Sequence, residues 1–147
     1  MEIGATMINL EEILQRLPHR FPFHMIDRIL EIEPGRKAIA LKNVGVDELQ
    51  CSGHFSGEPV LPGILILEAL AQTGGLAFHS QDETEGGGIP FLARIEEFRL
   101  KGKATPGDQL ILEAEVLGVF SSLAMVRVQA RIGDEPVAEG VLILAKG

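Results

Sequence analysis

The chain lacks tryptophan and tyrosine, and its 147 residues include a single cysteine, Cys51. One cysteine excludes a disulfide within the chain and a metal site built from several thiolates, so Cys51 is most simply a packing residue. Cationic residues are also few, because 13 lysines and arginines stand against 21 aspartates and glutamates, for a net charge of −8. Nucleic acid phosphates repel such a chain, and we therefore expect no nucleic acid partner.

A long uninterrupted apolar run is missing as well. The longest one, from about Val60 to Phe78, contains a proline, Glu68 and Gln72, and it is too short and too polar to span a membrane. The chain does not open on a basic segment followed by an apolar one, which argues against export. Hydrophobic residues nevertheless make up 46% of the chain, enough for a core. We expect one soluble cytoplasmic domain over residues 1–147.

Turn-forming residues divide the first half of the chain. The segment from Asn9 to Pro18 has a capping-box pattern at its start and a proline at its end, which predicts a short helix. Two extended segments flank Pro34-Gly35, and residues 47–61 are rich in glycine and proline, as loops are.

The second half combines one helix with several strands. Pro62 suits the first turn of a helix, and the sequence from there to about Phe78 is apolar on nearly every side, which predicts a buried helix. Residues 79–89 are polar and predict a loop, in which His79 would follow the helix end. Four extended runs come next, separated by Pro106-Gly107-Asp108, Ser121-Ser122 and Gly133-Asp134. The pattern predicts an α+β fold in which an antiparallel sheet covers one buried helix.

The apolar helix carries one acid, Glu68, and a buried carboxylate is costly unless it is paired or used. His54 lies upstream in a glycine-bounded loop. A loop histidine is more often structural than catalytic, whereas a lone acid in an apolar helix has no evident structural purpose. On the residues alone, Glu68 is therefore the better candidate for a functional role.

Three stretches of the sequence resemble a known family. They are LPHRFPFHMIDRILEIEPG, GHFSGEPVLPGILILEALAQTGG and TPGDQL, and the resemblance runs from about Leu17 to the end of the chain. The family is the 3-hydroxyacyl-[acyl-carrier-protein] dehydratases of bacterial fatty acid synthesis. The resemblance implies the hotdog fold, an antiparallel sheet wrapped around a long central helix. It also implies homodimers that join their sheets edge to edge, commonly assembled as trimers of dimers.

The resemblance implies that His54 and Glu68 are the catalytic pair. The reaction removes water from a (3R)-3-hydroxyacyl thioester and gives a trans-2-enoyl thioester. A neutral His54 would take the C2 proton, and Glu68 would donate a proton to the departing hydroxyl. In the family's dimers, the two residues of one site come from different subunits. The related dehydratase-isomerase has aspartate where this chain has Glu68, which favours dehydration without isomerisation.

Four residues are predicted to contact the substrate. The helix start offers backbone N–H groups to the thioester oxygen, and Gly63 is the likeliest donor because it has no side chain. Val60 belongs to the motif, and Phe91 stands where the family has an aromatic gate. Gln72, one turn after Glu68, either orients that acid or only satisfies a backbone group. Two departures from the family pattern are Ser56, in place of a proline, and His24, in place of an aliphatic residue.

A local group of cations is the predicted dock for acyl carrier protein, the acidic partner that the resemblance implies. Arg99, Lys101 and Lys103 alternate along a predicted strand and would project from one side of it, and Arg94 is near. A merely solvated face is about as probable on the pattern alone. His19 and His24 lack the helical spacing of metal ligands, and we expect neither metal nor cofactor.

Two other functions fit the same fold. A hotdog thioesterase would hydrolyse similar thioesters but would usually place its acid differently. A non-catalytic acyl-thioester-binding module would have no need for a buried acid. We therefore predict the dehydratase.

Overall fold

The computed structural model describes residues 11, 24–45, 59–79 and 90–146. Its first hairpin consists of β1 (Arg28–Glu33) and β2 (Lys37–Asn43), which pair antiparallel. The turn between them closes through Arg36 N, which donates to Glu33 O at 2.9 Å. Gly35 has φ +79°, a left-handed conformation that glycine adopts without strain. The predicted turn at Pro34-Gly35 is confirmed.

One helix, α1 (Gly63–Phe78), follows β2. Pro62 is its N-cap rather than its first residue, because the Pro62 carbonyl already accepts from Leu65 N at 2.9 Å. His79 is the C-cap, where the sequence placed it, and its N–H donates to Gly75 O. Every residue from Ile66 to Phe78 except Glu68 is buried, as a helix without a polar face should be.

The remaining strands are β3 (Pro90–Leu100), β4 (Gln109–Phe120), β5 (Leu123–Ile132) and β6 (Glu135–Lys146). β4, β5 and β6 match their predicted runs and the three predicted turns are confirmed, whereas β3 ends at Leu100, before its predicted run does. All six strands form one sheet in the order β1-β2-β4-β5-β6-β3, and all its neighbouring strands are antiparallel. Among the described strands, the two edges of the sheet are therefore β1 and β3.

The helix packs across one face of this sheet. The alternating residues Ala124, Val126, Val128 and Ala130 of β5 are buried toward it, while their neighbours along the strand are exposed. Gly74 allows a close approach, because a Cβ there would lie 2.9 Å from Leu144 Cδ1. This architecture is the expected hotdog fold, a sheet wrapped around a central helix.

Several predictions fall outside the described residues. They concern the loop residues 47–58, the polar loop after His79 and most of the helix predicted from Asn9 to Pro18, of which only Glu11 is described, as helical. Within the described ranges, no helix is long and apolar enough to cross a membrane.

Candidate functional site

The site is centred on the first two turns of α1. The N–H groups of a first helical turn have no partner inside the helix, and here no acidic residue occupies that turn. The donors of Gly63 and Ile64 are therefore suited to an incoming oxygen. A Cβ on Gly63 would overlap the Leu100 side chain, which lies beside the helix start. Leu100 is 54% exposed, so its side chain borders the helix start on the surface of the chain.

Glu68 lies one turn after Ile64, on the same side of α1. Ile64 is 69% exposed and Glu68 is half-buried, whereas the other residues from Ile66 to Phe78 are buried. The sequence predicted a buried acid, and in the single chain Glu68 is only half-buried.

Gln72 holds Glu68 by a hydrogen bond. Gln72 Nε2 donates to Glu68 Oε2 at 2.9 Å, and Gln72 Oε1 accepts from the backbone N–H of Met25 at 2.9 Å. Because a backbone N–H can only donate, Met25 fixes the amide oxygen on its own side and turns the NH₂ group toward Glu68. Gln72 is 1% exposed, and its bond to Met25 is buried, whereas its bond to Glu68 is partly buried. Gln72 therefore bonds to Glu68 and also satisfies a backbone group, the N–H of Met25.

No sequence pattern singles out Met25, because the group that acts is its peptide N–H. Its neighbour His24 bonds through Nε2 to Ile26 O at 2.5 Å. The other ring nitrogen, His24 Nδ1, is buried and has no hydrogen-bond partner in the described parts of the chain. The segment that anchors Gln72 thus contains one buried polar atom, His24 Nδ1, without a described hydrogen bond.

The other predicted substrate contacts lie at different places. Val60 is buried just before α1, and its neighbour Leu61 donates through N to Ala104 O at 2.8 Å, which ties this segment to the loop after β3. Phe91 is 52% exposed at the start of β3, nine residues from Leu100. That separation is roughly 30 Å along a strand, so the structure does not bring Phe91 and Gly63 of one chain together.

His54, the other predicted catalytic residue, lies outside the described residues, as do Cys51, Ser56 and His19. Among the residues that are described, no three histidine, cysteine, aspartate or glutamate side chains are grouped as a metal site.

The predicted cationic cluster contains acids. Arg94 pairs with Glu96 at 2.8 Å, and Lys101 forms an ion pair with Glu139. The hydrogen bond from Lys101 lowers the pKa of Glu139 below its usual value of 4.5, and this effect outweighs the opposing effect of desolvation. Of the four cations, only Lys103 has no ion-pair partner in the described part of the chain; Arg99 lies 4.0 Å from Glu97.

The placement of this cluster also differs from the prediction. β3 ends at Leu100, and Lys101 N and Gly102 N both donate to Val137 O. Lys101 and Lys103 therefore follow the strand instead of alternating along it. Arg99 and Lys101 still lie on one side, because both act on the same carboxylate of Glu139.

Comparisons with known proteins agree with this fold and this motif. A family model described as a FabA-like domain matches residues 17–144. A 3-hydroxyacyl-[acyl-carrier-protein] dehydratase FabZ of Caldicellulosiruptor saccharolyticus is 44% identical over 139 residues, covering 95% of this chain and 99% of that protein. The protein of the same name from Pectobacterium atrosepticum is 44% identical over 147 residues, covering 99% and 97%.

Solved structures share the fold at low sequence identity. The dehydratase heterocomplex ApeI:P from Xenorhabdus doucetiae is similar with a TM-score of 0.77 and 17% identity, over 92% of this chain and 90% of that one. The uncharacterised protein PH1136 from Pyrococcus horikoshii is similar with a TM-score of 0.70 and 17% identity, over 90% and 92%.

Proposed function

This chain belongs to the FabA-like family of 3-hydroxyacyl-[acyl-carrier-protein] dehydratases, and from that premise we propose that His54 and Glu68 perform its two proton transfers. The enzyme is a hydro-lyase of fatty acid biosynthesis. It removes water from a 3-hydroxyacyl chain carried on acyl carrier protein and leaves a double bond between C2 and C3.

Glu68 acts as the acid in this proposal, and its hydrogen bond with Gln72 is the observation that supports it. Glu68 Oε2 accepts the N–H of Gln72, so the transferable proton sits on Oε1, which is turned away from that bond. The proton on Oε1 goes to the C3 hydroxyl, the C3–O bond breaks, and water leaves.

His54 is the base. It takes the C2 proton, and the electron pair of that C–H bond becomes the C2–C3 double bond as the hydroxyl departs. Negative charge grows on the thioester oxygen during this step, and the N–H groups at the start of α1 stabilise it. After turnover His54 holds one extra proton and Glu68 lacks one, and exchange through water restores both.

The proposal is tested with purified protein and 3-hydroxyacyl carrier protein as substrate. Wild type should yield the enoyl product, whereas a thioesterase would release free carrier-protein thiol and a binding module would yield neither. His54→Ala and Glu68→Gln should each lower the dehydration rate by about a hundredfold or more at unchanged thermal stability. Near-normal turnover of either folded variant would contradict the role given to that residue.

The active enzyme is a homodimer joined along β3, with each site shared between subunits. β3 is an edge strand, and its backbone polar groups on one side are open for pairing. Ile95 and Leu100 on this strand are exposed, and so is Ile64 at the start of α1. A second subunit on this edge would cover all three and would also enclose Glu68. His54 of one subunit would then meet Glu68 of the other.

Acyl carrier protein docks at the cluster of Arg94, Arg99, Lys101 and Lys103. Charge reversal at Lys103 should raise the KM for the carrier-protein substrate most among the four single variants, because no described acid already offsets that charge. A pantetheine-linked substrate lacks the acidic protein surface, and its KM should not change. Arg36→Glu is a matched control, since Arg36 is an exposed cation paired with Glu33 at the β1–β2 turn. Equal losses on both substrates, or from the control, would reject this dock.

A further inference from the structure

The peptide N–H of Met25 determines how Gln72 is oriented, and the side chain of His24 bridges this peptide group. His24 Nε2 lies 2.5 Å from Ile26 O, and because a carbonyl oxygen can only accept, Nε2 carries a proton and donates it. The bond closes a ring of atoms that runs through the His24 side chain and along the main chain to Ile26. The nitrogen of Met25 is a member of that ring. The bond therefore restrains the torsion angles that set the direction of its N–H.

The far end of this ring is attached to the sheet. Asp27 follows Ile26 in the chain, and its N–H donates to Leu41 O of β2 at 2.9 Å. Asp27 Oδ2 accepts from Asn43 N at 2.7 Å, which adds a second bond to the end of the same strand. Ile26 itself is fully buried. The carbonyl that the histidine bonds is thus held by the sheet, and the bond passes this restraint on to the peptide before it.

A histidine at position 24 destabilises the fold in a way that an aliphatic residue would not. The family pattern has an aliphatic residue there, and such a side chain buries no polar atom. His24 Nδ1 is buried without a hydrogen-bond partner in the described parts of the chain, and a buried acceptor left unpaired costs free energy. An unsatisfied buried group in a folded protein needs a physical explanation. Here the explanation is the bond from Nε2 to Ile26 O, which no aliphatic side chain can make.

We propose that His24 is a positioning residue for Glu68 and acts on it through the Met25 N–H and the amide of Gln72. This inference rests on the proposed function, in which Glu68 is the acid. The Met25 N–H holds the amide oxygen of Gln72 at 2.9 Å, and the NH₂ group of the same amide holds Glu68 Oε2 at 2.9 Å. A tilt of the Met25 peptide would turn this amide and move the carboxyl group. Since a misplaced acid transfers its proton more slowly, the rate would fall.

His24→Leu removes both ring nitrogens and leaves an apolar side chain at this position. With 3-hydroxyacyl carrier protein as substrate, kcat should fall about fivefold to tenfold while KM stays unchanged, because the acid is misaligned and the substrate surface is kept. The melting temperature should equal that of wild type or exceed it, since the unpaired Nδ1 is gone. A residue that only supported the fold would give the reverse result. Unchanged kcat would overturn the proposal, whatever the melting temperature.

Two matched variants separate the bond from general stability. The NH₂ group of a glutamine has a reach similar to that of histidine Nε2 and can donate to Ile26 O, so His24→Gln should recover most of the wild-type kcat. Ile29→Val removes one methyl group from the core at β1, where Ile29 is fully buried, so it should lower the melting temperature and leave kcat unchanged. If His24→Gln lost as much kcat as His24→Leu, or if Ile29→Val lost it equally, the bond from His24 would not be the cause and the proposal would fail.

A double-mutant cycle tests the route through the amide. In the Gln72→Leu background, where Glu68 has already lost the hydrogen bond from Gln72, His24→Leu should cause no further fall in kcat. Losses that multiply in the double variant would mean that His24 acts by another route, and they would overturn the proposal.

Glu68→Gln, assayed beside these variants, separates a failure of this inference from a failure of the proposed function. Near-normal turnover of Glu68→Gln would overturn the proposed acid and this inference with it. An inactive Glu68→Gln together with full kcat in His24→Leu would overturn this inference alone.

Discussion

Gln72 uses both ends of its amide, since the oxygen accepts from Met25 and the nitrogen donates to Glu68. Gln72→Leu should lower kcat about tenfold to a hundredfold with little change in KM, because Glu68 loses its orientation while the substrate surface is kept. Steady-state kinetics on carrier-protein substrate measure both constants.

Thr73→Val is the matched control for this change. Thr73 is buried on the next position of the same helix and bonds only back to Ala69 O in the described contacts. It should leave kcat unchanged. An equal loss of kcat in both variants, or a loss of kcat in proportion to the loss of thermal stability, would mean that Gln72 only supports the fold.

Glu139 links stability to pH. Its pKa is lowered in the folded chain, chiefly by the hydrogen bond from Lys101, so the folded state binds this proton less readily than the unfolded state. The resulting stabilisation is present above the ordinary pKa of 4.5 and is lost as pH falls through the lower folded value. Lys101→Gln should therefore flatten the acid side of the stability curve, measured by urea unfolding between pH 3 and 7.

Lys103→Gln serves as the reference for that curve, because Lys103 has no described ion pair. If both variants gave the same acid dependence as wild type, the pairing of Lys101 with Glu139 would have no effect on stability in solution.

At this scale the sequence indicated which side chains matter but not where they point. Glu68 and Gln72 stand out because polar residues are rare in an apolar helix. Met25 could not be identified from the sequence, since every residue type except proline supplies a peptide N–H. The exposure of Glu68 depends on which side of α1 meets the sheet, and a helix that is apolar all round does not encode that.

The start of α1 meets the end of β3 at Gly63, which lies against the Leu100 side chain. Gly63→Ala should reduce activity far more than stability, since the new methyl group meets only the exposed Leu100 side chain but stands beside the helix N–H groups proposed to bind the thioester oxygen. Adding Leu100→Ala should restore any lost stability without restoring activity. Thermal melts and initial rates of the single and double variants separate the two effects.

Gly118→Ala is the control substitution, because a Cβ there has nothing within 4 Å. If the double variant Gly63→Ala, Leu100→Ala recovered activity, then glycine would be required at position 63 for packing against Leu100 and not for access to the helix N–H groups.

The elements themselves were largely predictable. Turn residues and alternation located the six strands, and β5 matched its predicted run at both ends. β3 was the exception, because bulges at Ala93 and Glu96 interrupt its register with β6 and its chain turns away after Leu100. Alternation along a sequence assumes an unbroken strand, so it placed Lys101 and Lys103 on β3. The order of the strands, which makes β3 an edge, follows from pairings far apart in sequence.

Shared sites make a whole-molecule prediction. When inactive His54→Ala and inactive Glu68→Gln chains are unfolded, mixed in equal amounts and refolded, each mixed dimer should contain one doubly altered site and one intact site. Random pairing makes half the dimers mixed, so about a quarter of all sites should become active. The rate of enoyl formation measures the recovery.

Native mass spectrometry provides the control by confirming that mixed dimers have formed. Mixed dimers without any activity would contradict the shared site, because two residues from one chain would leave a lesion in every site.

The two edges of the sheet differ in a way that limits growth. A sheet that adds copies at both edges would polymerise without end, as cross-β fibrils do. Here β3 is eleven residues long and carries several exposed apolar side chains. β1 is six residues long, has a bulge between Ile29 and Glu31, and ends in charged residues. In the proposed dimer joined along β3, both outer edges of the joined sheet would be β1, which is poorly suited to further pairing. Among the described strands, their order would therefore limit sheet growth to two subunits.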